Sequence, residues 1–157
     1  MSDVGSGLVD DEGREVHAPA EIEEWSENLR RRIARKPPET GIIKTPDSII
    51  ADLEMVVYVA GQNVAVLKEA ERTVKAARKE LARAIARATK TATGKTVADR
   101  EAEVTLATEA EVDVADDAEI AFNYAKRIAE LTETTKSATQ TQAKQVEIMY
   151  SLAGLPA

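Results

Sequence analysis

Apolar residues recur at alternating steps of three and four along most of this chain, the mark of helices that pack on helices. Within residues 46–92 the positions Ile50, Leu53, Val57, Ala60, Val64, Leu67, Glu71, Val74, Arg78, Leu81, Ile85 and Ala88 keep that spacing without a break. Only Glu71 and Arg78 are polar, so the pattern is a heptad seam of the kind that wraps one helix around another. Thr45 is placed as N-cap, with Pro46 at the first helical position and Asp47 behind it. The spacing therefore predicts one long helix over 46–92.

A second helix is predicted over 97–153, carried by Val104, Ala107, Val112, Ala115, Ala118, Phe122, Ala125, Ile128, Leu131, Ala138, Val146, Met149 and Leu152. Its pattern alternates like a strand at 104–106 and 112–114, but surrounding Ala and the lack of turn residues favour helix. Residues 93–96, Thr93-Gly94-Lys95-Thr96, read as the turn, with Gly94 suited to a left-handed cap and Thr96 to a capping box with Asp99. So short a connection makes the two helices antiparallel neighbours. With the turn centred between Gly94 and Lys95, facing residues have numbers summing to about 189. Arg78 then meets Glu111 as a register-fixing ion pair, Leu67 meets Phe122, and Val146, Met149 and Leu152 run past the first helix without a partner.

Ahead of these helices, Ile22, Trp25, Leu29 and Ile33 form one stripe of a short amphipathic helix over 19–36, stopped by Pro37-Pro38. Residues 37–45 read as a Pro-rich linker, and residues 1–18, rich in Gly, Asp and Glu, as a disordered acidic tail. The expected fold is all-α: a long antiparallel two-helix coiled-coil hairpin with a short N-terminal amphipathic helix and a disordered tail.

Composition sharpens this picture. Of 157 residues one is Phe, one Trp and three Tyr, and much of the apolar content is Ala, so a thin helix-on-helix structure is expected in place of a thick core. Residues 68–95 carry nine basic against three acidic side chains, a net of +6, and residues 99–119 one basic against nine acidic, a net of −8. Laying one on the other neutralises the basic run within the chain. The overall charge of −7 argues against bulk nucleic-acid affinity. Cysteine is absent, the N-terminus has no signal-peptide pattern, and the longest strongly apolar run, 55–60, is far short of a membrane span, so a cytoplasmic protein is expected.

Catalytic chemistry finds no foothold. His17 is the one histidine, and no metal-ligand, nucleophile or cofactor constellation surrounds it, so no enzyme, cofactor or small-molecule substrate is expected. The Gly94-Lys95-Thr96 segment lacks the earlier Gly of a phosphate-binding loop, having Thr89 there. Carboxylates spread along a helix do not make a calcium loop. Two features do suggest contacts. Arg30, Arg31, Arg32, Arg35 and Lys36 are either cations suited to a helix C-terminus or a nucleic-acid contact. Ile22, Trp25, Leu29 and Ile33 are either an internal flap or a helix for a partner's groove.

At Gly94-Lys95-Thr96-Val97-Ala98-Asp99-Arg100-Glu101-Ala102, then Leu106-Ala107-Thr108 and Ala121-Phe122-Asn123-Tyr124-Ala125-Lys126, the chain resembles a group of small coiled-coil proteins encoded by tailed bacteriophages. The likeness covers about 68–131 and rests on capping and packing residues. It implies a non-enzymatic accessory protein of phage DNA replication or recombination, working in the host cytoplasm through protein contacts. The uncovered Val146, Met149 and Leu152 are partner-binding candidates and make a homo-oligomer expected. A virion scaffolding or adaptor role is the alternative, and direct nucleic-acid binding through the basic segment the third reading.

Overall fold

The computed structural model describes residues 7–34 and 44–154. It is all-helical: α1 spans Pro19–Ile33, α2 Pro46–Thr91, α3 Val97–Ala107 and α4 Glu109–Leu152. Among the described residues the extended structure is a single isolated bridge between Val9 and Glu15.

The helix starts follow from local chemistry. The Thr45 hydroxyl accepts a hydrogen bond from the Ser48 amide at 3.3 Å while Ser48 Oγ accepts one from the Thr45 amide at 3.1 Å. Thr96 and Asp99 exchange the same two bonds at 3.1 Å, closing the expected capping box. At α1 the Glu21 carboxylate accepts from the Ala18 amide at 3.0 Å, and Pro19 opens the helix.

Helices α2 and α4 lie against each other in opposite directions. Asn63 touches Thr132, Arg78 touches Glu119 and the Thr93 amide touches Glu103, so facing residue numbers sum to about 196 instead of about 189. The expected Arg78–Glu111 pair is therefore wrong by two helical turns. The cause is the connector. Residues 92–96 are not helical, and an extended residue advances about 3.3 Å against 1.5 Å in a helix. The chain thus climbs past the end of α2 before α3 begins. Gly94 does not adopt the left-handed conformation expected of it. Its role is close approach, since a Cβ there would lie 2.7 Å from Asp99 Cβ and 2.8 Å from the Arg100 nitrogen. The amides of Thr93 and Gly94 both donate to Glu103 Oε2, at 2.8 and 3.3 Å, satisfying backbone groups that the connector leaves without helical partners.

The same shift draws α4 back along α2, so Val146, expected to stand beyond the first helix, is buried. Met149 and Leu152 stay exposed.

The seam on α2 is also displaced, by one residue. The buried positions are Ile49, Val56, Val59, Asn63, Val66, Ala70, Thr73, Ala77 and Ala84, with Val74 and Ala76 beside them. Apart from Val74, the expected seam lies on the shoulder: Ile50, Val57, Val64 and Ile85 are exposed, while Leu53, Ala60, Leu67 and Leu81 are half-buried. The two stripes have the same 3,4 spacing, and burial of charge decides between them. The expected stripe carries Glu71 and Arg78; the observed one is uncharged from Val56 to Ala77. Glu71 is exposed and pairs with Lys75 along its own helix at 2.8 Å.

Instead of one second helix there are two, broken at Thr108. This residue has φ −117° and ψ 8°, is buried, and its hydroxyl donates to the Val104 carbonyl at 2.9 Å. A threonine bonding back in this way competes with the helix ladder. Helix α3, overhanging the end of α2, buries none of its residues.

Residues 7–18 correct the expectation of a disordered tail. The Asp10 carboxylate accepts from the amides of Glu12 and Arg14, each at 2.9 Å, and Gly13 at φ 76° closes the turn. Leu8 and Val16 are buried in a cluster with Val74, Ala76, Ala77, Ala115 and Ala118. The first six residues, residues 35–43 and the last three, including the Pro-rich part of the linker, Arg35, Lys36, Ile42, Ile43 and Pro156, lie outside the described residues.

Arg78 and Glu119 are 62% and 53% exposed and 3.2 Å apart. Arg78→Glu should therefore lower stability by less than about 1 kcal/mol. A loss restored by Glu111→Arg, and not by Glu119→Arg, in urea titrations would reinstate the register with facing numbers near 189.

Candidate interaction surfaces

Helix α1 lies in the angle between α2 and α4. Ile22, Leu29 and Ile33 are buried with Val59, Val66, Ala70, Ala121, Ala125 and Ile128. Alanine at the α4 positions lets the three backbones come together, which sequence periodicity alone does not reveal. Trp25 is half-buried beside this cluster, and the fourth buried position of α1 is Ser26, whose hydroxyl donates to the Ile22 carbonyl at 2.8 Å. Ile22, Leu29 and Ile33 are thus internal packing residues in this structure. The helix docks near the middle of the α2–α4 pair and leaves Met149 and Leu152 uncovered.

Polar contacts hold α1 along one edge. Tyr124 Oη donates to Glu27 Oε2 at 2.6 Å, and Arg30 makes two bonds of 2.7 Å to the same carboxylate. The Arg30 guanidinium, then the Tyr124 hydroxyl, hold the Glu27 carboxyl well below the usual range, and Glu27 pushes the Tyr124 phenol up. Arg32 stacks over the Tyr58 ring with its guanidinium carbon 5.6 Å from the centroid.

This arrangement sets a pH window. Glu27 has a depressed folded-state pKa, so its contribution is complete above the ordinary carboxylate pKa near 4 and is lost as pH falls towards the folded value. Tyr124 is raised, so its contribution is complete below the ordinary phenol pKa near 10 and is lost as pH rises through the folded value. Thermal melts from pH 2 to 11 should fall off at both ends. Glu27→Gln should flatten the acid limb and Tyr124→Phe the alkaline one. Limbs unchanged by either substitution would show that the contact does not hold α1.

The basic segment is less available than its sequence suggests. Arg30 and Arg31 both pair with Glu27, at 2.7 and 3.2 Å, and Arg32 is engaged by Tyr58. The α2 cations likewise turn inward on their own helix or on the N-terminal segment: Arg72 to Asp10 at 2.6 Å and to Glu69 at 2.8 Å, Lys79 to Asp11, and Arg87 to Glu80 at 2.8 Å. Arg72 holds the Asp10 carboxyl well below the usual range. The acidic arm takes a smaller part in this neutralisation than its charge of −8 implies. A signal for the Asp10 contact was present in the Asp10-Asp11-Glu12-Gly13 turn sequence; the choice of Arg72 as partner was not legible.

His17 is a packing residue here, its ring 4.5 Å from that of Trp25 and Nδ1 3.1 Å from Glu21. Among the described residues no group of three or more His, Cys, Asp or Glu side chains is placed to hold a metal ion.

Among the described residues large apolar side chains are exposed at several places, Leu106 and Ile120 among them, and they gather most at the end of α4 and along α2. At the end of α4, Met149 and Leu152 are 51% and 83% exposed, with Ile148 beside them. Along α2, Ile50, Val57 and Val64 are 55%, 58% and 69% exposed, one heptad apart, on the side of the α2–α4 seam away from α1. One 18-residue stretch of α2 reaches a mean hydropathy of 1.4, enough by length and composition for a membrane span, with 28% of it buried in this fold.

No protein-family model, curated protein or solved structure matches this chain.

Proposed function

We propose that this chain is a non-enzymatic helical interaction protein, an accessory of phage DNA replication or recombination acting in the host cytoplasm. In this reading the α2–α4 pair is an antiparallel coiled-coil hairpin, stiffened on one side by α1 and residues 7–18. The heptad spacing of Val56, Val59, Asn63, Val66, Ala70, Thr73 and Ala77, all buried, supports that description. The phage assignment rests on the likeness of residues 94–102 and 121–126 to phage coiled-coil proteins.

The observation that carries the interaction reading is the apolar end of α4. Ile148, Met149 and Leu152 are exposed together within one turn at the end of α4, whereas the buried positions nearer its start are largely alanine. Such a cluster of large side chains at a helix end is a recognition surface for a protein groove. Affinity purification from infected cells, followed by binding assays with the purified candidates, tests it. Replication or recombination proteins should be retained, and Met149→Ser/Leu152→Ser should abolish retention. Retention of capsid or tail proteins by the same residues would establish the virion reading instead. Direct nucleic-acid binding receives little support from Arg30, Arg31 and Arg32 as paired. Affinity for DNA or RNA with a log–log salt slope of roughly −2 to −3, lost in the triple alanine variant, would reinstate it.

A further inference from the structure

The basic run of α2 keeps most of its charge on one face. Arg72, Lys75, Lys79, Arg83, Arg87 and Lys90 follow at steps of three and four, which sets them within about a third of the helix circumference over about 27 Å. The buried Ala70, Ala77 and Ala84 lie on the other side of the helix. The acidic arm does not reach this ridge. Among the described residues Arg78–Glu119 is the one ion pair between α2 and α4, and Arg78 stands off the ridge.

What meets the ridge is the N-terminal segment. Asp10 pairs with Arg72 at 2.6 Å and Asp11 with Lys79, while Glu12 joins them in lining a cleft of about 250 Å³ against Arg72, Lys75 and Ala76. Two adjacent carboxylates thus sit on cations about 10 Å apart along the helix, as the charges of a phosphodiester backbone would. We propose that this ridge is a contact surface for the backbone of double-stranded DNA, and that residues 7–18 are an acidic strap that closes it. The inference goes beyond the protein-contact reading and uses none of the residues at the end of α4.

Charge and shape select the partner. Glu69, Glu71 and Glu80 stand at or beyond the borders of the ridge, so its middle is a cationic row suited to a polyanion. It holds no aromatic side chain, hence no platform for the unstacked bases of a single strand. Its length matches roughly eight base pairs of duplex at about 3.4 Å each, contacted by charge and without sequence preference.

The strap is built to be displaced. Its apolar grip is Leu8 and Val16, buried with Val74, Ala76 and Ala77, and the Thr73 hydroxyl donates to the His17 carbonyl at 2.9 Å. The Asp11–Lys79 pair is open to water and therefore weak. A duplex supplies a phosphate for each cation that the strap releases. It also reaches Arg83, Arg87 and Lys90, which among the described residues no strap carboxylate pairs with.

Fluorescence anisotropy of the full chain with a labelled duplex of about 20 base pairs at about 50 mM salt tests this. The intact chain should bind weakly. Asp10→Asn/Asp11→Asn should tighten binding about 10-fold or more and steepen the log–log salt slope by roughly 2, for the two cations released. Leu8→Ala/Val16→Ala, which loosens the strap with no change of charge, should tighten it as well. Asp116→Asn/Asp117→Asn, an equal change of charge at exposed positions of α4, should tighten it less than about 2-fold. Adding Lys75→Gln/Arg83→Gln/Arg87→Gln to Asp10→Asn/Asp11→Asn should abolish the gain with the helical spectrum unchanged, whereas alanine at Arg30, Arg31 and Arg32 should leave it.

Strap variants that bind the duplex no tighter than the intact chain would overturn the inference. An equal gain from Asp116→Asn/Asp117→Asn would do so too, by reducing the effect to net charge. Tighter binding of a single strand than of the duplex would give the ridge to single strands instead. Met149→Ser/Leu152→Ser should leave duplex binding intact, and Lys75→Gln/Arg83→Gln/Arg87→Gln should leave partner capture intact, so failure of either proposal is read separately.

Discussion

Ile22→Ala should lower the stability of the fold by about 2–5 kcal/mol, the largest loss expected from a single truncation in this chain. Ile22 has no exposed surface and belongs to the cluster that joins α1 to Val59, Val66 and Ala70 of α2 and to Ala121, Ala125 and Ile128 of α4. Three elements meet at this one side chain. The alanines around it are already short, so they have little reach with which to refill the space. Urea unfolding followed by circular dichroism gives the loss, and the fluorescence of Trp25, the sole tryptophan, reports the position of α1 directly. Trp25→Ala/Leu29→Ala should likewise melt earlier and bind more apolar dye. An unchanged midpoint in both variants would mean that α1 is not docked on its own chain in solution.

Thr132→Val should cost about 1–3 kcal/mol although it removes no volume. The Asn63 amide donates to Thr132 Oγ1 at 2.7 Å, and that hydroxyl donates onward to the Ile128 carbonyl at 2.8 Å. Both residues are buried, so valine leaves the Asn63 amide without an acceptor in an apolar seam. Replacing both partners, Asn63→Leu with Thr132→Val, removes the unmet group and should recover most of the loss. A double-mutant cycle in urea measures the coupling, and a coupling near zero would mean that the two side chains do not meet. The pair also pins the register. Sliding α4 along α2 by one turn would set Asn63 against a side chain other than Thr132, and the double variant should accordingly lose uniqueness of pairing sooner than stability.

Much of this was legible because it depends on neighbours in sequence. Thr45-Pro46 and Thr96-x-x-Asp99 start helices through bonds spanning three residues, and Pro37-Pro38 follows the end of α1. The turn that folds residues 7–18 was legible only in part. Asp10 and Gly13 announce a turn, but its order depends on Arg72 and Lys79, distant in sequence. Thr108 went unseen for the opposite reason. Threonine occurs throughout α4 without breaking it, as at Thr134 and Thr135, and its bond back to Val104 becomes a break only where α3 overhangs α2.

The sequence by itself determined the helical class, the starts of α1, α2 and α3 and the presence of a 3,4 apolar repeat on α2, because caps and periodicity are set by contacts within a few residues. It also presented two candidate stripes on that helix, one residue apart. Tertiary structure chose between them: the stripe free of charge at Glu71 and Arg78 went inside, against the alanines of α4 and the apolar face of α1. Tertiary structure likewise set the register, since a connector of extended residues carries α3 two turns further than a helical count allows, pairing Arg78 with Glu119 and burying Val146. Desolvating a charge is expensive, and an extended residue advances more than twice as far as a helical one. Neither quantity can be read from spacing alone.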